Sequence, residues 1–268
     1  MELLYQLLFS LILATALAAL AAWRRALTRA GLVWAWALAV VITFCGGLGG
    51  FAALAATFVF TILAGKLSKA VREPIETRLH AKTGPRDAVQ ILCNVLTGAV
   101  MLALRGATGK SCFLWAYGGA MAASLADSMA SELGVLSKRQ PRDILTLRPA
   151  EKGLSGAVSA IGLLASLGGA AIIAAICAAV WGCGWEMGID VTAAGVFAAL
   201  CDSILGSAFQ AKYRCGVCGA LTEKRRHCGT ECTLEQGLPF VNNDAVNFCN
   251  NLIGAGAAVA LYFIMERA

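Results

Sequence analysis

The sequence has little charge. Only 14% of its 268 residues are Asp, Glu, Lys or Arg, whereas 59% are hydrophobic, and its mean hydropathy is +0.72. A soluble domain of this length needs a large charged surface, so this composition excludes an ordinary soluble protein and indicates that lipid is the solvent. The alternation of apolar and polar residues that marks membrane-spanning strands is also absent, which excludes that class of membrane protein.

Long apolar runs are abundant instead. A helix needs about 20 mostly apolar residues to cross a bilayer, and eight stretches rich in Ala, Gly and Leu meet this requirement. These stretches are 3–22, 31–46, 49–65, 88–104, 111–131, 155–182, 191–211 and 245–265. The sequence therefore predicts an all-α, polytopic transmembrane bundle of about eight spans in one domain, 1–268. We expect an uncleaved first span, because it begins with Glu2 and is followed by Arg24 and Arg25.

Basic residues are nearly missing from one of the two sets of connections between these spans. If the helices alternate in direction, the basic set consists of 23–30, 66–87, 132–154 and 212–244. This set holds every Lys and Arg except Arg105, Lys110 and Arg267. Positive residues stay on the cytoplasmic side of a membrane. We therefore predict cytoplasmic basic loops and external termini in a multi-pass protein of the cell membrane, the inner membrane of a bacterium. Gly46, Gly47, Gly49 and Gly50 predict a tight outer turn between spans two and three.

Three acids stand out in or beside the predicted spans. They are Asp127, Asp202 and Asp244. A carboxylate in the hydrocarbon region costs about 2.5–3.5 kcal/mol on insertion scales, so it usually has a function. Helical spacing gives each acid polar neighbours near the cytoplasmic interface, where Asp87 also lies. Hydrogen bonding between helices is the alternative explanation for these residues.

A basic and glycine-rich segment precedes the sixth predicted span. Lys152-Gly-Leu-Ser-Gly156 would place exposed N–H groups and an ammonium at a helix N-terminus, where an anion such as phosphate is favoured. Alone, the segment is equally typical of a basic loop followed by small packing residues. Carboxylates that hold Mg²⁺, together with cations that hold phosphates, are the parts that phosphoryl transfer needs.

The last basic loop, 212–243, concentrates soft metal ligands. Thiols are reduced in the cytoplasm, so a metal site is favoured over a disulfide there. Cys215-x₂-Cys218, Cys228 and Cys232 predict a tetrahedral structural Zn²⁺ site, in which His227 could replace Cys228 or Cys232. Free surface thiols are the alternative.

Five motifs occur in a fixed order along the chain. They are Ala126-Asp-Ser-Met-Ala-Ser-Glu-Leu-Gly134, Ser137-Lys-Arg-Gln-Pro-Arg142, Lys152-Gly-Leu-Ser-Gly-Ala-Val-Ser159, Asp202-Ser-Ile-Leu-Gly206 and Asn242-Asn-Asp-Ala-Val-Asn247. This series resembles the integral membrane family that contains transmembrane protein nineteen and the plastid phytyl-phosphate kinase. The resemblance implies a kinase that converts an isoprenoid monophosphate to the diphosphate with a nucleoside triphosphate, CTP or ATP. Leu154 and Ala157 depart from the usual family pattern.

The family's motifs map onto Asp127-Ser128, Asp202-Ser203 and Asn243-Asp244. We therefore expect Asp127, Asp202 and Asp244 to be catalytic and to carry Mg²⁺. The expected substrate- and phosphate-binding residues are Asp87, Ser128, Arg139, Lys152, Gly153, Ser155, Gly156, Ser203, Asn243 and Asn247.

Other functions are compatible with the same residues. Intramembrane acids and Gly-broken helices also occur in ion-coupled transporters, and a CTP-dependent nucleotidyltransferase on a lipid phosphate would use the same Mg²⁺ and phosphate ligands. A structural subunit is a further alternative. The expected partners are the lipid bilayer and a lipid or isoprenoid phosphate, and no nucleic-acid partner is expected.

Overall fold

The protein is a polytopic α-helical membrane protein, as predicted. The computed structural model describes residues 1–265, so the predicted external Arg267 lies outside the described residues. The helices are α1 (Glu2–Trp23), α2 (Arg29–Leu79), α3 (Ala88–Thr108), α4 (Cys112–Gly134), α5 (Ala160–Trp181), α6 (Gly184–Ala208) and α7 (Asn243–Met265). Six of them are long and apolar enough to cross a membrane, judged by length and composition over the described chain.

The exception is α4, which lies at the centre of the bundle. It packs against α2, α3, α5, α6 and α7. Most of its residues are buried, including Tyr117, Met121 and Leu125. Because α4 is surrounded by protein, it does not need the strongly apolar surface that lipid requires of a helix, and its sequence can carry small and polar residues.

Predicted spans two and three are the two arms of α2, joined at a glycine turn. Gly47 has φ 60° and ψ −150°. This conformation is not helical, and glycine adopts it more readily than other residues do. A Cβ placed on Gly50 would lie 2.8 Å from the carbonyl oxygen of Ile42, so the chain folds back on itself here. The Trp181 indole closes the turn by donating to the Gly46 carbonyl at 3.0 Å. The predicted tight turn is present.

The long connections meet at one end of the bundle. The Arg86 amide donates to Ala26 O at 2.9 Å, which joins segment 80–87 to segment 24–28. The Glu223 amide donates to Leu79 O at 2.8 Å, which joins segment 209–242 to the end of α2. Segment 135–159 joins them through Ser155, whose hydroxyl donates to Glu223 at 2.6 Å. The basic connections therefore gather on one side of the bundle, opposite the turn at Gly47.

Short antiparallel strands within these loops were not predicted. The strands are β1 (Arg142–Asp143), β2 (Ala157–Val158), β3 (Lys212–Arg214), β4 (Leu221–Thr222), β5 (Arg226–His227), β6 (Thr230–Glu231) and β7 (Thr233–Gln236). The β1 strand pairs with β2, β3 lies between β4 and β7, and β5 pairs with β6. In register, Asp143 faces Ala157, Tyr213 faces Thr222 and His227 faces Thr230. The strands stiffen the loops that enclose the site.

Candidate active site

A cavity of about 630 Å³ opens at the end of the bundle where the long loops meet. Its walls come from the ends of α2, α4 and α6, the starts of α3, α5 and α7, and the loops between them. The charged and polar residues in its lining include Arg72, Glu76, Lys82, Arg86, Asp127, Ser128, Glu132, Lys152, Ser155, Asp202, Ser203, Glu223, Arg225, Asn243, Asp244 and Asn247. The cavity therefore brings together nearly all the residues expected to form the site.

Two carboxyl groups meet inside the cavity. Asp127 on α4 and Asp202 on α6 lie close enough for their carboxyl groups to interact directly. Close packing of the two helices makes this possible, because a Cβ on Gly195 would lie 2.7 Å from Cβ of Ala122. Asp202 Oδ2 is buried and has no hydrogen-bond partner among the described residues. Two carboxylates this close cannot both stay charged unless a proton or a cation joins them.

Asp244, the third predicted acid, begins α7 and is 5% exposed. Lys82 Nζ lies 2.6 Å from Asp244 Oδ2 and 2.7 Å from Asp87 Oδ2, so one ammonium serves two carboxylates. Burial works against the charge of Lys82, but its bonds to Asp244 and Asp87 outweigh burial and raise its pKa. Asp87 also caps α3 by accepting from the Gln90 amide at 2.9 Å. Asp87 is therefore part of a helix cap that orients Lys82.

The prediction that Lys152–Gly156 lies at the N-terminus of a helix is wrong. The α5 helix begins at Ala160, after Ser159, whose hydroxyl accepts from the Gly162 amide. Gly153 and Gly156 have φ of 80° and 86°, values in the left-handed region that end any continuous right-handed helix. Segment 152–156 is consequently a loop on the cavity wall, without the dipole of α5 directly behind it.

This loop is nevertheless fixed firmly against the helices. A Cβ on Gly156 would lie 2.5 Å from Cβ of Ser207, so the loop backbone touches α6 directly. Ser207 donates to Asp143 Oδ2 at 2.5 Å. Burial opposes the charge of Asp143, but hydrogen bonds from Ser207, Thr146 and Leu145 lower its pKa below the usual value. Lys152 Nζ donates to Ser137 O at 2.6 Å, which fixes it beside the cavity.

The remaining expected residues divide into two groups. Ser128, Ser203, Asn243 and Asn247 line the cavity with Gly153, Ser155 and Gly156. Arg139 is exposed and lies outside the lining that the described residues form. Several basic residues surround Arg139 in the sequence, and the sequence does not indicate which of them line the cavity.

A separate cluster lies in the loop between α6 and α7. The ligand atoms of Cys215, Cys218, His227 and Cys228 all lie within 4.8 Å of one another. His227 Nδ1 is 3.4 Å from the Cys218 sulfur and 3.3 Å from the Cys228 sulfur. The Cys218 amide, then His227 and the Val217 amide, stabilise the Cys215 thiolate and lower its pKa to about 6. The structure thus favours His227 over Cys232 as the fourth member, although Cys232 also contacts Cys215.

Comparison with known proteins identifies the family. The family described as Integral membrane protein DUF92 matches residues 12–255. The chain belongs to this family. It is 30% identical to Protein PGR of Arabidopsis thaliana over 93% of each chain. It is 30% identical to an uncharacterized membrane protein of Methanocaldococcus jannaschii over 79% of this chain and 87% of the relative.

A third relative, an uncharacterized membrane protein of Synechocystis, is 28% identical over 92% of this chain and 86% of its own. No solved structure matches the chain. The family predicted from the ordered motifs is confirmed, and with it a multi-pass protein in contact with the lipid bilayer.

The cavity of this DUF92 protein also contains a charge network that sequence reasoning missed. Arg72 on α2 forms ion pairs with Glu132 on α4 at 2.5 Å and with Glu76 at 2.7 Å. Ser68 donates a further hydrogen bond to Glu132 at 3.1 Å. Arg86 lies near Glu132 and Asp127. The available signal was Glu132 itself, an acid in the same helix as Asp127 that lies just past the predicted end of the span.

Chemically, the cavity of this DUF92 protein pairs anions with cations over a short range. Its carboxylates would suit a hard divalent cation, which prefers oxygen ligands. Its Lys and Arg side chains would suit phosphate oxygens. Leu163, Leu200 and Phe240 add apolar surface to the same lining. The cavity is therefore suited to an amphipathic ligand with a phosphorylated head.

Proposed function

We propose that this DUF92 protein is a membrane-embedded kinase that transfers a phosphoryl group from a nucleoside triphosphate to an isoprenoid monophosphate. The observation that carries the proposal is the contact between Asp127 and Asp202 in a cavity also lined by Lys152 and Arg86. Paired carboxylates beside phosphate-binding cations are the parts that phosphoryl transfer needs. The family resemblance supports the isoprenoid substrate.

The acids fit the divalent cation that such a reaction uses. Asp202 Oδ2 is a buried acceptor without a partner among the described residues, and the carboxyl of Asp127 lies beside that of Asp202. Asp127 and Asp202 would hold Mg²⁺, which neutralises phosphate charge when bound. Asp244 would support the site electrostatically through its bond to Lys82.

The cations and amides of the cavity would bind the phosphates. Lys152 and Arg86 lie in the lining, and the loop of Gly153 to Gly156 brings backbone close to it. These groups would fill the phosphate-binding role that was expected in part of Arg139. The monophosphate oxygen would form a bond to the γ-phosphorus of the donor while the bond to the β-phosphate oxygen breaks, so a nucleoside diphosphate leaves. Positioning and charge neutralisation suffice, and no covalent enzyme intermediate is needed.

The apolar part of the substrate would remain in the bilayer. We propose that the cavity faces the cytoplasm of a bacterial cell, because the basic connections gather at this end and positive residues stay inside. In that orientation, soluble nucleotides reach the cavity from water while the isoprenoid tail enters from the membrane.

The test uses detergent-purified protein with Mg²⁺, CTP or ATP, and a panel of prenyl monophosphates. The expected products are nucleoside diphosphate and prenyl diphosphate, and Asp202→Asn should lower their rate of formation by about 10²- to 10³-fold. The matched control is Asp190→Asn on the same helix, because Asp190 accepts a hydrogen bond from Trp115 at 3.1 Å, which an amide oxygen can also accept. Thermal unfolding of both variants checks the fold.

The other outcomes separate the rival functions. Release of pyrophosphate would indicate a nucleotidyltransferase. Equal turnover in Asp202→Asn and the parent protein would contradict the role of the carboxyl pair. Absence of turnover with every lipid, together with flux of a solute into proteoliposomes driven by a proton or sodium gradient, would establish a transporter instead.

A further inference from the structure

The cysteine-rich loop has the geometry of a metal site. In a tetrahedral Zn²⁺ site, bond lengths of about 2.3 Å to sulfur and 2.0–2.1 Å to nitrogen place sulfur and nitrogen ligands about 3.6 Å apart. The sulfur atoms of Cys218 and Cys228 lie 3.4 and 3.3 Å from His227 Nδ1. With Cys215, all four ligand atoms lie within 4.8 Å of one another. Four soft ligands at one point correspond to a closed structural site, not to a disulfide.

The four ligands lie on both sides of one short segment. Cys215 and Cys218 precede it, whereas His227 and Cys228 follow it, so a shared ion would join its two ends. A bond between the ends of a segment reduces the number of conformations that the free segment can adopt. Residues 219–226 would therefore be held as one unit by the metal.

This segment reaches the cavity. Glu223 and Arg225 belong to it and line the cavity wall. Glu223 accepts a hydrogen bond from Ser155 at 2.6 Å, and its pKa is raised by burial, which His80, Ser155 and Lys212 only partly offset. Arg225 donates to Pro239 O at 2.8 Å. Order in the cysteine-rich loop thus sets the position of two charged cavity residues.

The segment is also docked on the end of α2. The Thr222 hydroxyl donates to Leu79 O at 2.9 Å, and the Glu223 amide donates to the same carbonyl at 2.8 Å. Lys224 donates to Thr77 O. The other face of the loop is largely open to solvent, and Val217 and Leu234 are exposed. Without a metal, little apolar packing would hold this loop together.

We propose that Cys215, Cys218, His227 and Cys228 bind one structural Zn²⁺ ion that positions Glu223 and Arg225 at the cavity. Cys232, which the sequence placed in the ligand set, lies beside the site as a neighbour of Cys215. Zinc binding does not depend on the proposed kinase activity. The position of Glu223 and Arg225 would affect any ligand that the cavity binds.

The first test measures the zinc content of the full-length protein, purified in detergent without chelators, by mass spectrometry of metals. We expect about one zinc ion per chain in the parent protein. Cys218→Ser and Cys228→Ser should each lose it. Cys232→Ser, in the same loop, and Cys249→Ser, on α7, should keep it.

Two results would overturn the ligand assignment. One is a parent protein that holds no zinc even after incubation with Zn²⁺ and removal of the excess. The other is a full zinc content in Cys218→Ser. Loss of zinc from Cys232→Ser with retention in His227→Ala would establish the four-cysteine set instead. Because zinc content needs no turnover, absence of kinase activity leaves these results interpretable.

A second variant covers the case in which the serine variants misfold. His227→Cys makes a four-cysteine site, which is also a common zinc site, so it should keep the ion. Loss of zinc from a well-folded His227→Cys protein would show that the ring nitrogen does not lie at a metal position, and it would contradict the proposal.

The positioning role is tested by limited trypsin digestion of the parent protein with and without a zinc chelator. Zinc removal should speed cleavage after Lys224, Arg225 and Arg226 by about tenfold or more, because local opening exposes the chain to protease. Cleavage after Lys138 and Arg139 serves as the internal control and should not change. Equal rates at Arg225 in both conditions would mean that zinc does not position this segment.

Discussion

The two ends of α6 each hold an acid, and the surroundings of the two acids are opposite. Asp190 is buried and accepts a hydrogen bond from the Trp115 indole. Asp202 faces the carboxyl of Asp127 and has a buried oxygen without a partner among the described residues. A satisfied acid belongs to helix packing, whereas an acid that faces another acid is unfavourable until a cation or proton joins them. An acid in a membrane helix therefore indicates function only once its partners are known.

The largest expected effect comes from substitution of the carboxyl pair, which tests whether these acids differ in function from Asp190. Asp127→Asn and Asp202→Asn should each lower turnover of a prenyl monophosphate by about 10²- to 10³-fold, the effect of removing one electrostatic stabiliser from an active site. The double variant should be little worse than either single variant, because the two residues act as a unit. Asp190→Asn is the control and should retain activity. Losses that multiply in the double variant would mean that the carboxyls act independently.

The next largest effect concerns the close packing of α7 against α4. A Cβ on Gly254 of α7 would lie 2.5 Å from the Gly119 carbonyl oxygen of α4, and backbone cannot move aside easily. Gly254→Ala should therefore lower the free energy of unfolding by about 3 kcal/mol, the upper part of the range for overpacking. Gly256→Ala on the same helix meets open space and should be neutral or slightly stabilising. Thermal unfolding in detergent that ranks the two variants equally would refute the close contact.

A smaller effect tests the satisfied acid. Asp190→Ala leaves the buried Trp115 N–H without its acceptor and should lower the free energy of unfolding by about 2 kcal/mol. Asp190→Asn should not. In the absence of divalent cations, Asp202→Asn should instead leave stability unchanged or raise it, because it relieves the contact between two acids. Thermal unfolding of the three variants side by side is the measurement, and a destabilised Asp202→Asn would contradict the difference between the two acids.

The smallest effect is a pH dependence at Asp143, which ties the glycine loop to α6. Its pKa is lower in the folded protein than its usual value, so its ionised form stabilises the fold. That stabilisation is present above about pH 4 and is lost as the pH falls through the folded pKa. Because the group is partly solvated, the contribution is about 0.5 kcal/mol. The difference in unfolding free energy between parent and Asp143→Asn should shrink from pH 6 to pH 3, and a constant difference would contradict it.

Several features of the site could be predicted from helical position alone. Asp127 and Asp244 lie near the ends of predicted spans, and Asp202 lies within one. Because successive spans alternate in direction, a single count of spans brings all three acids toward one side. The turn at Gly47 was also predictable, because a run of glycines between two apolar stretches allows a positive φ.

Other features depend on contacts that a linear sequence does not reveal. The start of α5 was predicted too early, because small and apolar residues continue without a break from Gly153 into the helix. The left-handed conformation of Gly153 and Gly156 depends on the path of the loop. The ion pair of Arg72 with Glu132 joins two helices far apart in the chain. The choice of His227 over Cys232 depends on the path of a loop with a positive φ at Cys228.

The central position of α4 has a consequence for how the chain enters the membrane. Each span is offered to the lipid in order of synthesis, and an acid within the span opposes its entry. α4 carries Asp127 and is the one helix of the described chain that falls short of the apolar character of a self-sufficient span. We therefore expect its insertion to depend on the helices made after it, so that biogenesis of the bundle is cooperative and a chain arrested after α4 would leave that helix outside the bilayer.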